Sequence, residues 1–389
     1  MLAAIAEGRP GGVLRRGLGF AFLWFAALAC GRSEAPKPAP SSPSASTPSA
    51  RAGSRLASST AFELVVGPRG ATLVLAPSGG GRGALARVEL DVDGTRRGSA
   101  ALVLAARGGD VTDISAAFVD ERLAVAWLER SGAGARVRAT WAAPRAPVFE
   151  LGAAWRGPPA AHGNVMVAAW RGAALVFARG EEAPCVEPGK TACYAFSFHE
   201  LGAEGAKRGP VSLSVPVPCT DHATSLVVMP GRYHYGVCTE TGSGPVTTVF
   251  TITPEPAYAR ADPVLEGCEP VGTFTWRSSA WLVAQCQGNR RAARIGAADE
   301  DVEYLDLRSL RLECRAGAAT LRAAGFELEL DSPRGRLEAL LPNAMAPRGS
   351  RAVWTGQALL VASAAATSLR LARYTCRGDA WLETNVDID

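Results

Sequence analysis

Two segments, CTDHATSLVVMPGRYHYGVC (residues 219–238) and CEPVGTFTWRSSAWLVAQC (residues 268–286), share one order of features. Each begins with a cysteine, continues through an apolar, strand-like run and a turn, and returns through a second run to another cysteine. Short apolar runs that are separated by turn residues are typical of β-hairpins. The recurrence predicts a protein that is built from repeated β-units.

The pattern extends beyond the cysteines, because an aromatic residue before a turn is followed, eight positions later, by an alanine in an apolar run. The matching pairs are Trp170 and Ala178, Trp276 and Ala284, Trp354 and Ala362, and, more weakly, Phe118 and Ala126. Weaker copies lie at Val66 and Met229, so successive anchors are 52, 52, 59, 47 and 78 residues apart. The last step equals two short repeats and predicts one degraded unit around residues 314–330.

Repeats of about 40 to 50 residues with several short strands each are typical of β-propeller blades. In the second unit we predict strands at 114–118, 122–127, 135–141 and 148–153, separated by turn residues. A single sheet of this kind cannot cover both of its faces, whereas sheets stacked in a closed ring do. The sequence therefore predicts an all-β fold, a β-propeller of seven four-stranded blades over residues 61–389. Two β-sandwiches in tandem are the alternative.

Residues 1–29 combine a basic start, with Arg9, Arg15 and Arg16, and an apolar run at 18–29. This order is typical of a secretory signal, and the run is shorter than the roughly 20 residues that a spanning helix requires. Residues 30–60 are rich in Pro, Ser and Ala, a composition that predicts a disordered tether.

The segment Ala27-Leu28-Ala29-Cys30 resembles the lipobox of bacterial lipoproteins, with Ala27 where leucine is commonest. The resemblance implies that Cys30 becomes the lipidated N-terminus of the mature chain and anchors it to a membrane. Gly31 after the cysteine resembles the form that is directed to the outer membrane. An ordinary cleaved signal, which would leave Cys30 as a thiol, is the alternative.

The charge balance narrows the expected partners. The chain has a formal net charge of +4, and three arginines and one glutamate in residues 1–29 account for +2 of it. The remaining basic residues are spread along the sequence, so we expect neither a phosphate-binding face nor a nucleic-acid partner. No cofactor is expected either.

Eight cysteines remain after Cys30, an even number that predicts disulfides in an exported chain. The start of a first strand and the end of a second strand are antiparallel neighbours, about 4.5 to 5.5 Å apart at Cα, within disulfide range. We therefore predict Cys219–Cys238 and Cys268–Cys286, a local Cys185–Cys193 loop and, by elimination, Cys314–Cys376. The spacing fits no metal site, since Cys-x-x-Cys is absent. Asp93-Gly94 predicts a hairpin turn and not a calcium loop.

A catalytic site is less evident. No Gly-x-Ser-x-Gly motif occurs. The sharpest candidate is a cluster of Asp221, His222 and His234, because two imidazoles and a carboxylate suit zinc or acid–base chemistry. In the alternative interpretation, His234 packs between Tyr233 and Tyr235 and His222 caps a turn.

Ligands of propellers usually meet the face that carries the turns from second to third strands. On that face the longest loop is expected at 180–193, closed by a disulfide and charged; its candidate binding residues are Glu181, Glu182, Glu187 and Lys190. We therefore expect a non-catalytic envelope lipoprotein that binds another envelope component, most simply a protein. A propeller hydrolase or lyase acting on glycans or peptides is the alternative, and a structural spacer is a third possibility.

Overall fold

The computed structural model describes residues 61–76, 84–104, 109–132, 134–143, 145–153, 165–183, 193–216, 218–223, 227–229, 232–241, 244–254, 257–276, 279–295, 304–307, 311–315, 317–323, 326–327, 335–337, 340–341, 349–364 and 368–388. They belong to the second of two units, Met1–Ala50 and Arg51–Asp389, into which the chain divides. The signal sequence, Cys30 and the tether lie outside these ranges and stay predictions. Within the described ranges, a helix with the length and apolar character that a bilayer requires is not found.

Twenty-nine strands of the described chain form seven antiparallel sheets, numbered here in chain order. Sheet 1 contains β1 (Phe62–Gly67), β2 (Gly70–Leu75), β3 (Leu85–Asp91) and β4 (Arg96–Leu104). Sheet 2 contains β5 (Asp110–Val119), β6 (Arg122–Ser131), β7 (Gly134–Trp141) and β8 (Phe149–Ala153). Sheet 3 contains β9 (Val165–Trp170), β10 (Ala173–Ala183), β11 (Cys193–Leu201) and β12 (Ala206–Pro216).

Sheet 4 has a first strand in two pieces, since β13 and β14 both pair with β15. It contains β13 (Pro218–Ala223), β14 (Val227–Met229), β15 (Arg232–Thr241), β16 (Gly244–Pro254) and β17 (Ala257–Glu266). Sheet 5 contains β18 (Cys268–Trp276), β19 (Ser279–Cys286), β20 (Asn289–Ile295) and β21 (Tyr304–Asp306). Sheet 6 contains β22 (Arg311–Arg315), β23 (Ala318–Ala323) and β24 (Phe326–Glu327). Sheet 7 contains β25 (Gly335–Arg336), β26 (Ser350–Trp354), β27 (Ala358–Ala364), β28 (Leu369–Arg377) and β29 (Ala380–Val386).

The sequence repeat corresponds to the hairpin between the first and second strands of a sheet. Trp170 ends β9, Trp276 ends β18 and Trp354 ends β26, while Met229 ends β14. The four strands that the sequence predicts in the second unit are β5 to β8, each longer than expected or shifted by one residue. The all-β propeller is therefore confirmed, and its units are continuous segments of chain.

Each sheet has two ends, which we call the hairpin end and the crossover end. At the hairpin end, first strands turn into second strands and third strands into fourth. At the crossover end lie the turns from second to third strands and the connections between sheets. Innermost strands of successive sheets contact one another along β1, β5, β9, β14 and β18, and β1 also contacts β26.

Apolar side chains fill the spaces between neighbouring sheets. Val74 and Leu85 of sheet 1 pack with Val125 and Trp127 of sheet 2, and further cores join sheet 2 to sheet 3 and sheet 4 to sheet 5. Sheet 5 meets sheet 7 in a core that includes Phe274 and Ala352, with Leu337, Leu340 and Leu341 in the same cluster. Phe62 and Leu73 pack with Leu360, Leu371 and Ile388 and join sheet 7 back to sheet 1. Six sheets thus form the ring.

Sheet 6 has a different position from the other six. Its strands β22 and β23 contact β28, the third of the four long strands of sheet 7, and β22 also contacts β29 at the outer edge. The amide of Gly317 donates to the carbonyl of Gly378 (2.8 Å), and Trp381 Nε1 donates to the carbonyl of Leu312 (3.4 Å). Seven sheets agree with the number expected, but sheet 6 has three described strands and packs on the outer part of sheet 7.

The turn between β3 and β4 fills part of the closure between sheets 1 and 7. Thr355 Oγ1 donates to the carbonyl of Val92. A Cβ placed on Gly94 would lie 2.7 Å from Leu360 Cδ2 and 2.8 Å from Arg373 Cδ, so a larger residue would require these side chains to shift. Asp93 accepts from the amide (2.9 Å) and the hydroxyl (2.7 Å) of Thr95, and these hydrogen bonds lower the pKa of its carboxyl group. The predicted hairpin turn at Asp93-Gly94 is confirmed.

Two of the predicted disulfides are present. Cys268 and Cys286 are register partners in β18 and β19, with Cα atoms 4.4 Å apart. Cys314 of β22 and Cys376 of β28 form the second bond, 5.4 Å apart at Cα, and link sheet 6 to sheet 7. Disulfides persist in oxidising compartments and are rare in the cytosol, so the chain is adapted to an exported location.

Candidate functional site

A cleft of about 480 Å³ opens between sheets 1 and 2 at the hairpin end. The turn between β1 and β2, the start of β6 and the end of β7 surround it. We call it the arginine cleft, because its lining includes Arg69, Arg87, Arg97 and Arg122, together with Glu89, Glu121, Phe118 and Trp141. None of these was singled out as a binding residue from the sequence.

Glycine at two positions shapes the cleft. Gly70 has φ of +144°, and a Cβ there would lie 2.1 Å from the carbonyl oxygen of Leu90, so the turn after Arg69 requires glycine. A Cβ on Gly67 would lie 2.6 Å from the ring of Phe118. Because Gly67 has no side chain, the Phe118 ring of sheet 2 packs directly against the backbone of sheet 1.

Arg87 and Glu89 occupy one side of the cleft. Arg87 Nη1 donates to the carbonyl of Ala142 (3.0 Å) and so joins β3 to the end of sheet 2. Arg87 Nε lies 3.4 Å from a carboxylate oxygen of Glu89, and Thr72 Oγ1 donates to the other oxygen (2.9 Å). These contacts hold the Arg87 and Glu89 side chains in place. Both side chains are partly exposed, so a ligand can still reach them.

Arg97 and Arg122 are also oriented by neighbours. Arg97 pairs with Asp91 and donates to the carbonyl of Arg69 (3.3 Å). The guanidinium carbon of Arg122 lies 4.3 Å from the ring centroid of Trp141, a cation–π distance. Trp141 is fixed in turn, since its Nε1 donates to the carbonyl of Gly202 (2.9 Å) in sheet 3.

The chemistry of the cleft follows from these groups. The described lining of the cleft includes four arginines and two glutamates, and the Asp91 carboxylate pairs with Arg97. A guanidinium group presents a planar fork of donors that fits a carboxylate or phosphate. Phe118 and Trp141 add apolar surface beside the charges. The cleft is therefore suited to an anionic group on a partly apolar ligand, while no group of side chains suited to a metal ion is found in the described chain.

The sequence-based candidates lie elsewhere. Asp221 and His222 are on β13 and His234 is on β15, where it pairs with Val227. The side chains of Asp221, His222 and His234 lie outside the described part of the structure, so the cluster of these three residues stays a prediction. The same holds for Cys219–Cys238, although the pairing of Pro218 with Thr239 places the two cysteines on neighbouring strands.

The predicted binding loop is shorter than expected. Residues 180–183 belong to β10, where Glu182 pairs with Tyr194 and Ala183 with Cys193. The interpretation of Glu181 and Glu182 as loop residues is therefore corrected, because the strand pairing continues past a β-bulge. Cys185, Glu187 and Lys190 lie outside the described residues. β10 ends and β11 begins at the crossover end, opposite the arginine cleft.

The scatter of basic residues along the sequence does not exclude a local group of arginines at the hairpin end, while the expected absence of a phosphate-binding face and of a nucleic-acid partner stays a prediction. Arg69 and Arg122 are 53 residues apart in sequence, yet both line one cleft, because stacked repeats bring equivalent turns together. A signal was present: arginine recurs in or beside the turn after a first strand, at Arg69, Arg122, Arg171 and Arg232, and Arg277 follows the repeat anchor Trp276 in the sequence.

Comparison with known proteins finds no matching family model and no matching curated sequence. Among solved structures, a neuraminidase-like protein of A/little yellow-shouldered bat has a TM-score of 0.42 at 11% identity, covering 79% of this chain and 92% of that one. A protein of unknown function from Dyadobacter fermentans has a TM-score of 0.39 at 12% identity, covering 83% and 94%. The GH32 β-fructofuranosidase of Bombyx mori has a TM-score of 0.35 at 8% identity, covering 85% and 87%. No residue of a site is transferred from such remote similarities.

Proposed function

We propose that this chain is a non-catalytic binding module of the cell envelope that holds an anionic group of another envelope component in the arginine cleft. The observation that carries the proposal is the convergence of four guanidinium groups from two sheets on one cleft. The disulfides support an exported location. Anchoring to the outer membrane through lipidated Cys30 is part of the same proposal.

The geometry favours binding because the arginines are already ordered. Arg87 is held by Ala142 and Glu89, and Arg122 by the Trp141 ring. Side chains that are fixed before association lose less conformational entropy when a ligand arrives. Hydrogen bonds to charged groups contribute about 1.5 to 3 kcal/mol each, so two such contacts would account for a specific interaction.

The test is capture by the mature protein, with its disulfides intact, from solubilised envelope and cell-wall fragments. Arg87→Gln and Arg122→Gln should each weaken retention of the captured component by about 10- to 100-fold, the equivalent of one charged hydrogen bond. Arg291→Gln is the matched control, because Arg291 is exposed near the crossover end of sheet 5. Retention that both cleft variants leave unchanged would refute the proposal.

One observation favours a second function, a hydrolase or lyase acting on glycans or peptides. Glu89 and Glu121 line the same cleft, and glycoside cleavage commonly uses two carboxyl groups that flank the substrate. An enzyme would shorten the captured fragments, and Glu89→Gln or Glu121→Gln would abolish cleavage while binding persisted. The binding proposal expects fragments of unchanged length from the wild-type protein.

A further inference from the structure

The series of arginines does not end at the arginine cleft. Arg171 lies in the turn between β9 and β10 of sheet 3, next to the cleft along the ring. Its guanidinium carbon lies 5.1 Å from the ring centroid of Trp170, and the side chain is exposed. The sequence continues the series with Arg232 and Arg277 after the first strands of sheets 4 and 5.

Arg122 connects the cleft to this next turn. Its Nη2 lies at hydrogen-bond distance (3.5 Å) from the carbonyl oxygen of Gly172, the residue after Arg171. Packed sheets are about 10 Å apart, which is also about the Debye length at 0.1 M salt. Arginines on neighbouring sheets at this spacing would repel each other weakly, while one extended anion could contact Arg122 and Arg171 together.

The backbone at Arg171 supports a role for its side chain. Arg171 has φ of 47° and Gly172 has φ of 78°, so both are in the left-handed region. Two-residue turns of this type favour Asn-Gly or Gly-Gly, because a larger side chain is strained there. An arginine that adopts this conformation costs stability, and strained residues are commonly found at functional sites.

The arginine path has little exposed apolar surface. The core of a protein–protein interface is more apolar than the rest of the surface, although arginine and aromatic residues are enriched there. In the described part of the chain, the exposed large apolar side chains are Val271, Tyr304 and Leu382, on β18, β21 and β29. Sheets 1 to 3 contribute none of them to the arginine path, where the apolar surface includes Phe118 and Trp141 of the cleft, which suits a mainly polar ligand with limited apolar surface.

We propose that the ligand is an acidic polysaccharide, a chain with a carboxylate on successive sugars, that lies along the hairpin end from the arginine cleft across Arg122 to Arg171. This inference rests on the proposed function and extends it from one anionic group to a polymer. Multivalent contact explains why arginine recurs in turn after turn. Longer chains contact more sheets, so affinity increases with chain length.

The experiment titrates the mature protein with galacturonate oligomers of increasing length, and with neutral oligomers of equal length, over a range of salt concentrations. Affinity should increase with the length of the acidic oligomer only. Arg171→Gln should lower the affinity for the long oligomer about 5- to 10-fold and reduce the slope of log K against log salt concentration by about 1. Arg171→Gln should leave the affinity for the galacturonate monomer unchanged, whereas Arg122→Gln should lower the affinity for both the monomer and the long oligomer.

Arg171→Asn separates binding from folding. Asparagine suits the left-handed turn better than arginine, so this variant should raise the melting temperature and still lose affinity for the long oligomer. If affinity did not depend on oligomer length, but Arg122→Gln still weakened binding of the monomer, the polymer proposal would be overturned. The proposal of anion binding in the arginine cleft would remain. Binding of an acidic protein in place of the oligomers would overturn the proposal that the ligand is a polysaccharide. Equal binding of neutral oligomers would overturn both this proposal and the proposed function.

Discussion

Individual buried side chains connect the innermost strands of the ring. Ser115 Oγ of β5 accepts from the amide of Val167 in β9 (3.0 Å). At the closure, Arg351 Nε of β26 lies 3.3 Å from a carboxylate oxygen of Glu63 in β1, and both side chains are almost fully buried. Ser115, Glu63 and Arg351 all lie three positions before an anchor of the repeat, so one position of the sequence supplies polar contacts between different sheets.

The Glu63 and Arg351 pair provides a test at this scale. Glu63→Ala should destabilise the protein by about 3 to 5 kcal/mol, because it leaves a buried guanidinium group without its carboxylate. Replacing both residues, with Glu63→Leu and Arg351→Met, should recover most of this loss, since no buried charge remains. Urea unfolding measures both values, and a single variant as stable as the double variant would contradict the assignment.

At the scale of an element, sheet 6 lies outside the series of six sheets that form the ring. Its described contacts include the Gly317 and Gly378 backbone, Trp381 and the Cys314–Cys376 disulfide, and Leu312 packs on the core between sheets 5 and 7. Cys268–Cys286, in contrast, closes a hairpin whose strands are already paired over their length. The two disulfides should therefore have different structural consequences.

Replacing Cys314 and Cys376 with serine should lower the unfolding free energy by about 4 kcal/mol, the chain-entropy value for a loop of this length. It should also make the segment from β22 to β24 the first site of limited proteolysis, because the disulfide is a covalent link between sheet 6 and sheet 7. The matched control replaces Cys268 and Cys286, at a cost of about 3 kcal/mol without new cleavage in sheet 5. Mass spectrometry of the first proteolytic fragments distinguishes the two double variants. Early cleavage outside β22 to β24 in the variant without Cys314 and Cys376 would contradict the idea that this disulfide holds sheet 6.

At the scale of the molecule, the ring closes by side-chain packing. All strands of sheet 1 come from the start of the described chain and all strands of sheet 7 from its end, so no strand is exchanged between them. Phe62, Leu371 and Ile388 pack across this junction, and Gly94 inserts against Leu360. The Glu63 and Arg351 pair and the hydrogen bond from Thr355 to Val92 lie at the same junction, so apolar packing and polar contacts together close the ring.

A pair of glycine substitutions tests the closure. Gly94 and Gly172 have nearly equal φ, +79° and +78°, but a Cβ on Gly172 would meet nothing within 4 Å. Gly172→Ala should cost about 1 to 2 kcal/mol from backbone strain alone. Gly94→Ala should cost about 1 to 3 kcal/mol more, since its Cβ overpacks the junction. Thermal unfolding gives the difference, and equal losses would show that the junction is not tightly packed.

The strands and hairpins were largely predictable because their signals are local. Alternating apolar residues and turn residues predict β5 to β8, and an antiparallel hairpin with cysteines at the start of its first strand and the end of its second predicts Cys268–Cys286. The arrangement of sheets was not predictable in the same way. A 78-residue step equals two repeats, but it equally fits one repeat with an insertion, and only packing places sheet 6 on the outer strands of sheet 7.

The sequence by itself determined that this is a repeating β-protein, where its hairpins turn and that Cys268 pairs with Cys286, since each of these depends on neighbours within a few tens of residues. The tertiary structure decided which six sheets form the ring and that Arg69, Arg87, Arg97 and Arg122 share one cleft. The physical reason is that these arginines meet across the faces of two separate sheets. Their convergence depends on how the sheets stack, which no local pattern of residues specifies.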